Sequence, residues 1–311
     1  MNYVKLYQWY ALKGRHDLPW RNTKDAYKIW VSEIMLQQTQ VKTVLERYYF
    51  PFLQQFPTLQ ALAHASLDEV LKMWEGLGYY SRARNLHKAA QMCRTSLPKT
   101  AQELELLAGI GKSTAHAIAS FAYGEALPIL DANVKRILYR YCAITNAKSN
   151  ELWEKSYQLF DSQNAYDFNQ AMMDLGAMVC TSKNPKCFEC PFAKECQGKA
   201  EPYRYPTPKP KKAKPIKTPY IVVYQHGEKF ALFQSQKQLL GGLWGFKQSD
   251  TKPSKSKKIG AITHHYSHFR LKCNVLLSSD AIEHKQWFSL EEIEALALSG
   301  VDRKVLALLV V

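Results

Sequence analysis

Apolar residues recur at helical spacing through most of the first 198 positions. RARNLHKAAQMC and ANVKRILYRYC each place them on one face of a helix. Helix starts are marked by a serine or threonine with glutamate three residues on: Ser66 with Glu69 in SLDEVLKMW, and Thr100 with Glu103 in TAQELELLA. Near residue 200 the period is lost. EPYRYPTPKPKKAKPIKTP has proline at 202, 206, 208, 210, 215 and 219, which neither a helix nor a central strand tolerates. Residues 200–218 therefore predict an extended basic linker, with five lysines between 209 and 217. Beyond it the grammar changes. PYIVVYQ and KFALFQ around HGE predict a hairpin, ITHHYSHFRLKCNVLL one long strand or two, and WFSLEEIEALAL a helix opened by Ser289 and Glu292. The expected architecture is a mainly α domain over 1–199, the linker, and a smaller α+β domain over 219–311. No internal repeat is visible, and no run of 18 apolar residues could span a membrane.

Charge narrows the partners. Forty-two Lys and Arg against 27 Asp and Glu give a formal net charge of +15. That surplus points to a polyanion or an anionic membrane surface. The membrane option calls for a basic amphipathic helix, and none is found, so nucleic acid is the preferred partner. The first twenty residues carry no h-region, and the seven cysteines are odd in number, so a reducing, cytoplasmic location is expected.

Four of those cysteines, Cys180, Cys187, Cys190 and Cys196, fall inside CTSKNPKCFECPFAKEC. The spacing C-x6-C-x2-C-x5-C lacks the two paired knuckles usual for zinc, although zinc stays open. Four thiolates from one short loop also suit a [4Fe–4S] cluster. A second motif, AGIGKSTA at 108–115, resembles the end of an ATP-binding P-loop. Counting five residues back from Gly111 reaches Leu106 instead of glycine, and a helix, not a strand, leads in. The stretch predicts a helical hairpin. Gly109 and Gly111 would allow a tight turn and close approach, and the next helix would aim free N–H groups at a phosphate. Two acids complete the set. Glu33 in WVSEIMLQQTQV shares an apolar face with Ile29, Trp30 and Leu36, which should raise its pKa and suit it to donate a proton. Asp131 in PILDANVKRIL precedes a helix, where amide N–H groups should hold it ionised as an N-cap.

The cysteine spacing after FNQAMMDLGAMVC, together with LLAGIGKSTA, resembles the helix-hairpin-helix DNA glycosylases of the endonuclease III superfamily. EIMLQQTQV, EGLGYYSRARNLHKAA, ILDANVKRIL and FNQAMMDLGAMVC are closely similar to the motifs of the MutY-type adenine DNA glycosylases, and the resemblance covers nearly the whole chain. It implies a helix-hairpin-helix domain with a six-helix barrel and a [4Fe–4S] loop at 180–196. It also implies a monomer acting on double-stranded DNA with adenine opposite 8-oxoguanine or guanine. Glu33 would protonate adenine, and Asp131 would stabilise the oxocarbenium-like sugar. Arg21, Leu36, Gln170 and Ser113 would line the pocket of the flipped base. Gln38, Thr39, Leu77 and Tyr79 would fill the gap or contact the opposing base, with Tyr79 as the wedge. Gly109, Gly111 and Asn133 would contact DNA, and Lys183, Lys186 and Lys194 would present charge to phosphates. A lyase of this superfamily carries lysine two residues after the second glycine; here that position is Ser113, with Lys112 one step early. Base removal without strand cleavage is therefore expected.

The C-terminal stretch resembles a Nudix (MutT-like) domain, which in this family recognises 8-oxoguanine. No glutamate lies between Glu228 and Glu283, so pyrophosphohydrolase activity is not expected. Ser267 and His268 in HHYSHFRL match the family's aromatic-Ser-His loop and are the candidates for reading the oxidised guanine. The short SDTKPSKSKK after GGLWGF predicts that a helix common in the family is missing, and lysine follows Phe246 where proline is frequent. Two other readings compete: a bifunctional endonuclease III-like glycosylase and AP lyase, and a non-catalytic iron–sulfur DNA-binding protein.

Overall fold

Local capping signals set most of the helix starts. In the computed structural model, which describes all residues of 1–311 except 94, 209, 211, 212, 238, 281, 284, 285 and 311, α1 (Tyr3–Lys13) is capped by Asn2. Asp25 caps α2 (Ala26–Leu36), its carboxylate accepting from the amides of Tyr27 and Lys28. There follow α3 (Val41–Arg47), α4 (Tyr49–Gln55), α5 (Leu59–His64), α6 (Leu67–Met73) and α7 (Ser81–Met92). At α6 the Ser66–Glu69 box is made in both directions. The predicted hairpin is α8 (Ala101–Leu104) and α9 (Lys112–Tyr123), then α10 (Ala132–Tyr141), α11 (Ser149–Gln158) and α12 (Ala165–Met178). At α8 only half a box forms: Thr100 Oγ1 accepts the Glu103 amide, while its own hydroxyl donates to the Glu103 carboxylate.

The chain divides into two compact units that interleave along the sequence. One comprises residues 1–38 and 92–210; the other comprises 39–91 and 211–311. The first is held by Leu6, Leu130, Val134, Leu138, Leu175 and Phe192, contributed by α1, α10 and the segment before it, α12 and the cysteine-rich loop. Here α10 and α12 approach so closely that a Cβ on Gly176 would lie 2.5 Å from the Cβ of Asn133.

The second unit pairs α3–α7 with a sheet. Its strands are β1 (Ile216–Lys217), β2 (Tyr220–His226), β3 (Lys229–Ala231), β4 (Phe233–Gln234), β5 (Trp244–Gly245), β6 (Lys247–Ser249), β7 (Ser256–His265), β8 (Arg270–Ser278) and β9 (Trp287–Phe288). The main sheet runs β1-β8-β2-β3-β9, with β6 on β2 and β7 on β8, and β4 pairs with β5 separately. Helices α13 (Leu290–Ala295) and α14 (Gly300–Leu306) cover it, with Ile293, Leu298, Val301 and Val305 packing on Val223, Val275 and Leu232. Polar contacts tie α6 and the turn after it to this segment. The Arg303 guanidinium pairs with Glu75, and Gln234 Nε2 donates to Asp68 at 2.9 Å. Chain order alone had placed α3–α7 with the other N-terminal helices. These contacts explain their grouping with the C-terminal sheet.

The 200–218 stretch also departs from a plain extended linker. Pro202–Arg204 form a single 3-10 turn, and Ile216–Lys217 run parallel to Arg270–Leu271 as an edge strand. The edge position is what makes this possible beside Pro215. Of the five lysines, 209, 211 and 212 lie outside the described residues. ITHHYSHFRLKCNVLL is two strands, β7 and β8, and no helix lies between β6 and β7. Among the described residues no helix is long and apolar enough to cross a membrane.

The Gly176 contact gives a stability test. Gly176→Ala forces α12 away from Asn133 and should cost roughly 1–3 kcal/mol. The measurement is the midpoint of urea unfolding.

Candidate active site

Two carboxyl groups meet in the first unit. Glu33 projects from α2, whose neighbouring residues Ile29, Trp30 and Ile34 are buried. Asp131 is the N-cap of α10: Oδ1 accepts the Val134 amide at 2.7 Å and Oδ2 accepts Asn133 Nδ2 at 2.9 Å. The segment delivering it is pinned from two helices. Asn169 of α12 accepts the Ile129 amide at 3.0 Å and donates to the Leu127 carbonyl at 2.9 Å. The His116 ring of α9 sits 2.7 Å from the Pro128 carbonyl. Asn133, expected to face DNA, is therefore engaged in holding Asp131.

Electrostatics separates the two acids. Burial, then the negative charge of Asp131, pushes Glu33 up to about 7, with Arg21 opposing. Burial also raises Asp131, more than an N-cap alone would suggest; the Val134 amide and Asn133 oppose it by stabilising the anion. Asp131 is thus the group built to stay charged, and Glu33 is poised to hold a proton near neutrality.

Arg21 is locked on one side of the site. Its guanidinium donates twice to Asp174, at 2.8 Å each, and Asp174 is wholly buried. Tyr166 donates its hydroxyl to the Arg21 carbonyl at 2.9 Å. Gln170, between Tyr166 and Asp174 on the same face of α12, is buried, and its Oε1 has no hydrogen-bond partner among the described residues. A buried orphan acceptor is costly unless a ligand supplies a donor. Leu36 closes α2 and is half-buried, and Gln37 Nε2 beside it reaches Thr114 Oγ1 of α9 at 3.3 Å.

At the hairpin the glycines play different parts. Gly109 has φ of +78°, which favours glycine, whereas Gly111 has ordinary backbone and open space where a Cβ would point. Ser113 lies in the first turn of α9, half-buried. Lys112 Nζ stands 4.5 Å over the ring of Trp153 and 5.4 Å from that of Tyr157, both on α11.

Cys180, Cys187, Cys190 and Cys196 line one cavity with Arg140. Arg140 Nη1 lies 3.4 Å from Cys180 Sγ, and the Phe192 and Gly198 amides donate to the sulfurs of Cys190 and Cys196. Burial pushes the Cys190 thiol up to about 12, and its three companions add to the rise. Among the described residues, no three His, Cys, Asp or Glu side chains converge closely enough to hold a single metal ion.

Comparison with known proteins now decides the family. The profile of HhH-GPD superfamily base excision DNA repair proteins matches residues 31–161, and that of the NUDIX domain matches 220–308. The adenine DNA glycosylase of Buchnera aphidicola subsp. Schizaphis graminum is 39% identical over 289 residues, covering 85% of this chain and 83% of that protein. The chain belongs to the adenine DNA glycosylase family. It is accordingly a DNA N-glycosylase of base excision repair. The human adenine DNA glycosylase is 46% identical over 212 residues, spanning 62% of this chain and 38% of the human one. The structure of a thermostable thymine-DNA glycosylase superposes with a TM-score of 0.59 at 28% identity, covering 64% of this chain and 94% of that one.

The remaining candidate DNA contacts, Gln38 excepted, lie in the second unit. Gly76, Gly78 and Tyr79 all have positive φ, +88°, +78° and +49°, and Tyr79 is 48% exposed. A non-glycine residue held there is strained, and the turn is over-determined to hold it. Arg82 Nη2 donates to the carbonyls of Leu77 and Gly78 and to Thr39 Oγ1, and Trp74 Nε1 donates to the Gly78 carbonyl. Leu77 is buried, whereas the Tyr79 ring is exposed. Gln38, the last residue of the first unit, is exposed and also has positive φ, +60°. Ser267 and His268 form the exposed tip between β7 and β8, with Ser267 Oγ 3.2 Å from His268 Nδ1. Below them Tyr266 and Phe269 stack at 4.5 Å, and Lys214 and Lys217 reach the Tyr266 carbonyl and the Phe269 ring.

Sequence reading missed Asp174, Arg15, Asn169, Arg82, Arg136 and Arg140. Asp174 and Asn169 lie in FNQAMMDLG, and Arg136 and Arg140 share a face of α10. That spacing was the available signal.

Glu33 carries a stability cost with a defined pH window. Its folded pKa lies above the unfolded value, so between about 4.5 and 7 the folded state binds more protons and stability falls as pH rises. Glu33→Gln abolishes this titration. The variant should gain on the order of 3 kcal/mol over the parent above neutrality, with the gain vanishing in acid. Thermal unfolding at several pH values measures it.

Proposed function

We propose that this protein is a monofunctional glycosylase that hydrolyses the N-glycosidic bond of adenine opposite 8-oxoguanine or guanine, leaving an intact abasic strand. The carrying observation is the divided pair of carboxyls, Glu33 poised to donate a proton and Asp131 hydrogen-bonded as an anion. Adenine leaves the base stack and enters the first unit's pocket. Glu33 transfers its proton to the base, and the C1′–N9 bond breaks with its electron pair moving to adenine. Asp131 stabilises the cationic sugar; at about 4 Å and an effective dielectric of about 20 such a pair is worth roughly 4 kcal/mol. Water then adds at C1′ and gives up a proton to the Glu33 carboxylate, which restores the acid. The unpartnered Gln170 Oε1 supports adenine binding, because the exocyclic amine of adenine is a donor.

Monofunctional chemistry is favoured by Ser113 at the lyase position and by the seating of Lys112 over Trp153. Four thiols from one short loop around one cavity, without the two paired knuckles usual for structural zinc, favour a [4Fe–4S] cluster held by Cys180, Cys187, Cys190 and Cys196 over zinc. Bound there, a cluster would cross-link the loop that carries Lys183, Lys186 and Lys194. Ser267 and His268, exposed at a two-residue tip, are suited to reading the base opposite adenine.

Labelled duplexes with adenine opposite 8-oxoguanine, guanine or thymine test the reading: adenine should be released from the first two and not the third. Asp131→Asn should lose about two to three orders of magnitude in base release. Glu33→Gln should lose at least the ~10²–10⁴ of a general acid, with DNA affinity changing far less. Strand nicking without added base, or activity retained in either variant, would contradict the mechanism. Ser113→Lys should increase the adduct trapped by borohydride. Purified protein should contain about four iron and four sulfide per chain, and stoichiometric zinc without iron would exclude the cluster.

A further inference from the structure

The most heavily hydrogen-bonded carboxylate described in the first unit is neither of the two acids above. Asp174 accepts from the Arg15 amide at 2.8 Å, from Arg15 Nε and Nη2 at 2.7 and 2.5 Å, and from both terminal nitrogens of Arg21 at 2.8 Å. Asp174 is 0% exposed, and the Arg21 side chain is 6% exposed. Tyr166, Gln170 and Asp174 recur every four residues, so one face of α12 grips the segment 15–21 at two points and presents Gln170 between them.

We propose that Asp174 is a positioning residue for adenine excision: it fixes Arg21 at the base pocket, offsets its charge, and so sets the pH range over which Glu33 acts. Arg21 draws Glu33 toward ionisation, and in the intact site that pull is damped by the carboxylate bound to the same guanidinium. The groups facing Glu33 are Asp131 at the start of α10 and Arg21. Those facing Asp174 are Arg15 and Arg21, with Tyr10 of α1 close to both Arg21 and Asp174, and Tyr166 of α12 close to Arg21. Neutralising Asp174 would leave the nearly buried Arg21 guanidinium, and the half-buried Arg15 beside it, without their anion. Their field would then favour the Glu33 carboxylate and remove the proton that catalysis needs.

This inference rests on Glu33 being the acid, and the experiment separates the two. Single-turnover adenine release is measured from about pH 5 to about pH 9 for the parent, Asp174→Asn, Asp174→Glu, Arg21→Gln and Glu33→Gln. If Glu33 is not the acid, Glu33→Gln keeps its activity, and that reading fails whatever Asp174 does. If Asp174 sets the range, Asp174→Asn moves the alkaline limb down by about one pH unit, costing about tenfold at the alkaline end and less in acid. Asp174→Glu should return the limb toward its parental position, and Arg21→Gln should move it up. A uniform loss across pH with the limb unmoved would mean a merely structural role and overturn the proposal. Should Asp174→Asn fail to fold, Arg21→Gln decides alone: an unmoved limb there refutes the coupling.

Discussion

Two carboxyl groups share a site too dry for both to be comfortably ionised, and the architecture of the first unit answers that constraint. Desolvation raises both groups, and only unequal hydrogen bonding separates them. The inequality comes from the start of α10, where the Val134 amide and Asn133 side chain point at Asp131. Glu33, in the apolar middle of α2, is left to carry the proton. A similar logic recurs at Asp302 in the second unit. Burial pushes this carboxyl up to about 6, although it accepts the Ser299 hydroxyl and the Phe246 amide. There the buried acid joins α14 to Phe246, between β5 and β6, and serves packing, which shows that a raised carboxyl is not by itself a sign of catalysis.

The placement of Asp131 depends in turn on how α10 and α12 pack. The missing side chain at Gly176 lets Asn133 come close, and Arg136 then donates to Asn133 Oδ1 at 2.9 Å, to the Gly176 carbonyl and to the Cys180 carbonyl at 2.6 Å. One turn further, Arg140 reaches Cys180 Sγ and the carbonyls of Thr181 and Pro202. Consecutive turns of one helix therefore link the Asp131 N-cap to the cysteine-lined cavity. The cysteine-rich loop is thereby mechanically continuous with the segment that positions Asp131.

The second unit is organised around display. Its core lies between the sheet and α13–α14, while the Tyr79 turn is held by the buried Arg82 donor and the Ser267–His268 tip stands on the stacked rings of Tyr266 and Phe269. Arg82 does for the Tyr79 turn what Asn169 does for the segment before Asp131: it satisfies carbonyls in a conformation the local sequence would not keep unaided. The end of the proline-rich segment becomes part of this display by pairing with β8 beside the tip.

Much was legible in the chain itself. Helical period, capping residues, the glycines of AGIGKSTA and the alternation after residue 219 are local signals, each written within a few positions; they predict the hairpin and the N-cap at Asp131, while the fold decides whether ITHHYSHFRLKCNVLL is one strand or two. Glu33, Asp131 and the four cysteines were recognisable because their chemistry and spacing are encoded nearby in sequence. Tertiary structure alone decided the rest. Nothing in ALKGRHDLPWR announces that Arg15 and Arg21 will share a carboxylate 159 and 153 residues away. Nor does SLDEVLKMW announce partners more than 160 residues on. Which buried charges meet, and which acid keeps its proton, depends on packing between distant segments, and composition and periodicity carry no record of it.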